Sequence, residues 1–361
     1  MRVSRLLLPG HVVSWTIVGD DGLPIEPVES YLAHLGRLER SPETVRGHAI
    51  GLKFFFDYLA DRGLDWREAH LEDVARFVGW LRAPAPNVVV LQGGTARRSE
   101  RTVNHYLAAV FGFYGFYTRA GVAVADELVS WRQANRGAYK PFLHKVGKAR
   151  SVPTRPVKLV APRHLPATLS AEQVAMVLGA CEHLRDRFLI ALLSETGMRI
   201  GQALGLRHRD FVSRELAVHI VPRKDNANGA RTKTRYEAVI PISVPLAHLY
   251  SAYMFDEYGD LGSDYVFVNL WAEPLGQPLR YQAVHKLVER LRARSGVSFN
   301  LHMLRHSRAT SLIRAGVPIE VVSKLLTHSS SVTTSSTYVH LDAADLRAEL
   351  KRAGVFDKEE R

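Results

Sequence analysis

The chain has 361 residues, a net charge of +12 and a pI of about 9.8. That length accommodates two domains with sizeable cores, and the positive excess attracts polyanions, of which nucleic acid is the commonest large one. A single cysteine, Cys181, excludes an intramolecular disulfide and a cysteine-rich zinc site and fits a reducing cytoplasm; no apolar run approaches the ~20 residues of a membrane span, and Leu6-Leu7-Leu8 before Pro9 is too short for a secretory signal.

Residues 1–25 show no clear period and read as an irregular N-terminal arm. Residues 26–131 read as a helical domain. Ser41-Pro42 has the form of an N-cap followed by proline at the first helical position. Val45, Ala49, Leu52, Phe56 and Leu59 then recur at helical spacing until Asp61-Arg62-Gly63. A second helix is predicted over 71–81, stopped by Pro84 and Pro86, and a third runs through Val103, Leu107, Val110, Tyr114 and Tyr117. The aromatic residues Phe54, Phe55, Phe56, Phe111, Phe113 and Tyr114 fit a packed core better than a base-stacking platform. Residues 132–165 scatter Arg136, Lys140, Lys145, Lys148, Arg150, Arg155, Lys158 and Arg163 among prolines, and read as a basic linker able to cross a DNA backbone.

The region 166–361 opens with the capping box Ser170-Ala171-Glu172-Gln173. Helices are predicted over 185–195 and 200–206. Alternation over 215–223 and again over 237–244 predicts two strands, with a turn at Asn226-Ala227-Asn228-Gly229. Helices follow over 245–257, 281–293, 302–315 and 318–326, with a last one near 343–352. The fold class is therefore mainly α with a small antiparallel β-sheet.

The chemistry concentrates near the C-terminus. His302 and Arg305 stand at i and i+3, on one side of a helix. An arginine fork suits phosphate oxygens, and histidine can shuttle a proton near neutral pH. Upstream, Thr196-Gly197-Met198-Arg199 sets a second arginine at a helix start, beside apolar core residues. His302 and His306 have metal-ligand spacing, but Met303 stands where a zinc protease needs glutamate, and Arg305 would oppose a cation. No metal is expected, and His306 is expected to pack rather than react. No glycine-rich loop has a P-loop context, so no nucleotide cofactor is implied.

Four segments together resemble the tyrosine recombinases, the phage-integrase family. They are Thr196-Gly197-Met198-Arg199, Leu301-His302-Met303-Leu304-Arg305-His306, Leu325-Leu326-Thr327-His328, and Thr333-Thr334 with Tyr338-Val339-His340, in family order. The helical region resembles that family's SAM-like core-binding domain. The resemblance implies that Arg199 and Arg305 clamp the scissile phosphate. It makes Tyr338 the nucleophile of a 3′-phosphotyrosine intermediate, His302 a proton shuttle and His328 a hydrogen-bond donor to a non-bridging oxygen. It also implies a lysine acid for the 5′-oxygen. Lys233, eight residues before Pro241, matches the pattern better than Lys224. Three departures stand out. Gln202 occupies a position where glutamate is common, Thr327 replaces the usual glycine before His328, and the His328–Tyr338 spacing is one residue longer.

These features lead to the expectation of a cofactor-free, site-specific DNA recombinase of integrase or transposase type. It would be cytoplasmic and nucleoid-associated. The resemblance implies a two-domain clamp on double-stranded DNA and a homotetramer on synapsed duplexes, with no membrane partner. The C-terminal helix, carrying Leu346, Leu350 and Val355, would dock in cis or on a neighbouring subunit. The alternatives are type IB topoisomerase-like relaxation and a catalytically inactive DNA-binding relative.

Overall fold

The structure is a computed structural model. It describes residues 1–8, 12–84, 96–133, 151–154, 156–162, 166–223, 225–232 and 236–327. The chain divides into two compact units, Met1–Arg163 and His164–Arg361.

The first unit opens with an antiparallel pair, β1 (Arg2–Leu8) and β2 (Val12–Val18), in register from Arg2 opposite Val18 to Leu8 opposite Val12. This corrects the expectation of an irregular arm. Val13, Thr16, Ile17 and Val18 favour a pleated strand; Thr16 and Ile17 are buried, and Trp15 and Val3 pack on the helical core. The alternation is hidden in the sequence because Arg2, Arg5 and the exposed Leu7 interrupt it.

Four helices follow: α1 (Glu26–Arg37), α2 (Pro42–Ala60), α3 (Leu71–Arg82) and α4 (Glu100–Arg119). The expected cap is present, with the Ser41 side chain accepting from the Thr44 N–H. Phe55, Phe113 and Tyr114 are fully buried between helices, and Phe56 and Phe111 nearly so. The aromatic residues are thus core, packed mostly edge to face.

The proposed linker also needs correction. β3 (Ser130–Gln133) pairs antiparallel with β4 (Ser151–Thr154). Further on, the Asn104 amide donates to the Leu159 carbonyl and accepts from its N–H, both at 2.9 Å. Val157 and Leu159 pack on the helical core. These stretches belong to the first unit because paired backbone and two apolar side chains give them something to bury. Of the basic residues named above in that stretch, Lys158 is described and exposed, and the others lie outside the described residues.

The second unit contains α5 (Ala171–Gly179), α6 (Leu184–Thr196), α7 (Ile200–Ala203), β5 (Phe211–Val212), β6 (Ala217–Ile220), β7 (Ala238–Pro241), α8 (Val244–Tyr253), α9 (Tyr281–Ser295), α10 (Leu301–Arg314) and α11 (Ile319–Leu325). The Ser170–Gln173 capping box forms as expected. The most buried helix is α6, with Phe188, Leu189, Ile190 and Leu192 fully enclosed. Its first N–H groups are capped by the Glu257 carboxylate, which accepts from Leu184 and Arg185 at 2.9 Å each. The sheet runs β5-β6-β7, wholly antiparallel, with His219 opposite Val239. β5 is too short to leave a sequence pattern. α8 continues as a π-helical turn, Met254–Tyr258. The fold is mainly α with small antiparallel sheets, as expected. The helix expected near 343–352 lies outside the described residues, among which no helix is long and apolar enough to cross a membrane.

Candidate active site

The site is built where three helix ends meet. α6 stops at Gly197, whose φ of 65° is the left-handed conformation of a helix C-cap. A Cβ there would lie 2.7 Å from Leu326 Cδ2, so that side chain would have to shift, and the positive φ itself favours glycine. Two residues later Arg199 caps α7, and its N–H donates to Gln202 Oε1 at 2.7 Å. Its Nη1 donates to Thr327 Oγ1 at 3.2 Å, and Gln202 Nε2 donates to the same oxygen at 2.9 Å.

α10 supplies the other cationic residues. The Asn300 side chain caps it, accepting from the His302 and Met303 N–H groups. His302 lies exposed in the first turn, while Arg305 is 2% exposed. The two residues share a side of the helix but sit at different depths. Arg305 Nη1 donates to the Gly197 carbonyl at 2.7 Å and Nη2 to the Leu326 carbonyl at 2.6 Å. The guanidinium therefore holds the end of α6 against the end of α11. Both arginines thus reach consecutive residues, Leu326 and Thr327, just before His328.

His306 packs edge-to-face against His302, with ring centroids 5.1 Å apart. Burial, then the charges of His302 and Arg305, pushes its pKa down to about 4. It is neutral at physiological pH, in keeping with a packing role. Thr327 adopts φ 53°, a region costing a non-glycine residue about 1–3 kcal/mol.

Lys224, Lys233, His328 and Tyr338 lie outside the described residues. The chain around the two lysines is firmly held. Arg223 makes a two-pronged ion pair with the buried Asp210, at 2.6 and 2.7 Å. Asn226 Nδ2 donates to the Ala230 carbonyl at 2.8 Å, and its Oδ1 accepts from Arg207 at 3.2 Å. Asn228 donates to the carbonyls of Leu204 and Leu279 and accepts from the Ala230 N–H, each at 2.9 Å. The Arg231 carbonyl lies against Gly201, where a Cβ would overlap it. Residues 225–231 are therefore seated on α7, the helix that Arg199 begins. The expected turn at Asn226–Gly229 is present, but as a braced block within a long β6–β7 connection.

Sequence reasoning singled out neither the Thr327–Gln202 pair as a structural unit nor the Asp210–Arg223 ion pair. A signal for the first existed: Gln202 and Thr327 are two of the three departures from the expected motifs, and they touch.

Comparison with known proteins adds an independent line. A family model described as the phage integrase family matches residues 167–345, and one described as the phage integrase N-terminal SAM-like domain matches residues 28–121. Transposase A from transposon Tn554 of Staphylococcus aureus is 38% identical over 330 residues, covering 91% of each chain. Tyrosine recombinase XerD of Corynebacterium glutamicum is 35% identical over 333 residues, covering 88% of this chain and 94% of that protein. Among solved structures, the Tn1549 transposon integrase in complex with transposon right end DNA aligns with a TM-score of 0.63 at 16% identity, covering 91% of this chain and 99% of that one. XerH recombinase bound to difH substrate aligns with a TM-score of 0.58 at 19% identity, covering 89% and 82%. At these identities the structural likeness concerns the fold.

Proposed function

The chain belongs to the phage integrase family of tyrosine recombinases and is a site-specific DNA recombinase, and from that premise we propose how its residues divide the chemistry. Tyr338 Oη attacks the scissile phosphorus, forming a 3′-phosphotyrosine and expelling the 5′-oxygen. Lys233 gives that oxygen its proton, with Lys224 as the alternative acid. Arg199 and Arg305 oppose the charge that grows on the pentavalent phosphorus. His302 relays the proton of the attacking hydroxyl, and His328 donates to a non-bridging oxygen. Rejoining is the reverse, with a 5′-hydroxyl attacking the phosphotyrosine. The bond energy stays in the phosphotyrosine, so rejoining needs no nucleotide to drive it.

The observation that carries this reading is the convergence of Arg199 and Arg305 on Thr327 and Leu326. It brings two cations from distant parts of the sequence beside the residue preceding His328. The seating of residues 225–231 on α7 suits a lysine acid at either end of that stretch, Lys233 or Lys224. Double-stranded DNA is the partner; the Tn1549 integrase neighbour is in complex with transposon right end DNA, and the net charge of +12 suits a polyanion. We place the protein at the nucleoid in the cytoplasm. The working assembly is a homotetramer on two synapsed duplexes, with the C-terminal helix docking in cis or on a neighbouring subunit.

The test uses a suicide substrate that traps the covalent intermediate, drawn from a pool of genomic or randomised nicked duplexes. Wild-type protein becomes attached to DNA and Tyr338→Phe does not. An adduct that persists in Tyr338→Phe would refute the nucleophile.

A further inference from the structure

Two residues that hold Arg199 are buried, polar and neutral. Gln202 is 2% exposed and Thr327 is 3% exposed. The Gln202 amide has its orientation set by the Arg199 N–H, which requires Oε1 on that side and leaves Nε2 facing Thr327. Both ends of the amide are thereby engaged, and the hydroxyl oxygen of Thr327 is an acceptor for the guanidinium.

We infer that Thr327 is a positioning residue for strand cleavage: its hydroxyl oxygen, held by Gln202, sets the direction in which Arg199 faces a phosphodiester. The inference rests on the reading of Arg199 as a phosphate ligand. Its first support is conformational. Thr327 keeps φ at 53°, where glycine is comfortable and a β-branched residue is not. A side chain retained against its backbone preference points to work done by that side chain. The second is placement. The Leu326 carbonyl is held by Arg305 at 2.6 Å, so the peptide unit before Thr327 is anchored and its hydroxyl cannot drift. The third is electrostatic. A hydroxyl orients a guanidinium without cancelling its charge, so the attraction of Arg199 for phosphate is kept, where a carboxylate at position 202 would offset part of it.

The test measures single-turnover adduct formation by the full chain on a pool of randomised nicked duplexes, at saturating protein. Thr327→Val keeps the branched shape and removes the acceptor. It slows cleavage roughly 10- to 100-fold, the scale expected when a charged group is displaced by about an ångström. Thr327→Ser restores the acceptor and cleaves near the wild-type rate. Thr327→Gly removes the hydroxyl but relieves the backbone. It should melt no lower than Thr327→Val and still cleave slowly, which a purely structural role does not predict. In an Arg199→Ala background, Thr327→Val adds no further slowing. The inference is overturned if Thr327→Val or Thr327→Gly cleaves at the wild-type rate, or if Thr327→Val slows Arg199→Ala as much as it slows wild type. Failure of the underlying reading looks different: Arg199→Ala alone would then cleave at full rate.

Discussion

The guanidinium of Arg305 and the carbonyl of Gly197, 108 residues apart in sequence, are joined by a hydrogen bond of 2.7 Å. With the second bond to Leu326, Arg305 ties α6, α10 and α11 together from a position 2% exposed. It is therefore a structural staple, in addition to the phosphate-binding role proposed for it. Each carbonyl left buried without its donor costs about 1–3 kcal/mol. Arg305→Ala should lose cleavage and also melt several degrees lower, since 1 kcal/mol shifts Tm by roughly 2–4 °C in a domain of this size. Arg199→Ala, at a half-buried position, should lose cleavage with a smaller shift. Thermal melts of the two variants decide the point, and an Arg305→Ala protein melting like wild type would show that the staple contributes nothing.

Gly201 is a second place where geometry allows one residue. A Cβ there would meet the Arg231 carbonyl oxygen and the Tyr281 hydroxyl. A backbone oxygen cannot swing aside, so α7 would have to move, and Arg199 with it. Gly201→Ala should destabilise by about 1–3 kcal/mol and slow adduct formation more than tenfold. Gly179→Ala is the control, because nothing lies within 4 Å of the added methyl. Equal behaviour of the two variants would remove the packing argument.

Asn228 braces the chain ahead of Lys233 through three hydrogen bonds. Asn228→Ala should cost about 1–3 kcal/mol and slow cleavage. A substrate with sulfur in place of the 5′-bridging oxygen has a leaving group that needs no proton. If the defect lies in delivery of Lys233, that substrate should recover most of the lost rate. The same defect on both substrates would place the effect elsewhere.

His306 yields a pH prediction. Its pKa falls from 6.5 in the unfolded chain to about 4 in the fold. Below pH 6.5 the unfolded state binds the extra proton first, so stability falls as pH drops from 6.5 towards about 4 and is fully present above that window. His306→Gln should flatten this part of the stability curve, measured by urea unfolding across pH 4–7. An unchanged slope would mean that other groups carry it.

Much of the fold could be read directly. Ser41 and Ser170 mark helix starts through local hydrogen bonds, because caps depend on residues only a few positions apart. The N-terminal hairpin was missed because its strands interrupt period two, and its ordering comes from burial of Ile17 and Thr16 on helices elsewhere in the sequence. Part of the presumed linker was misjudged for a similar reason: proline and positive charge suggest a tether, but Asn104, some 55 residues away, holds Leu159.

The amino-acid sequence by itself determined the family, the mainly helical class and the residue types that can act on a phosphodiester, since these follow from short motifs and short-range periodicity. Only the tertiary structure decided how those residues are held. It buried Arg305 on two carbonyls, left His302 exposed one turn away, and joined Gln202 to Thr327. Those outcomes depend on which helix ends meet. That is settled by packing of apolar surfaces far apart in the chain, which local spacing does not encode.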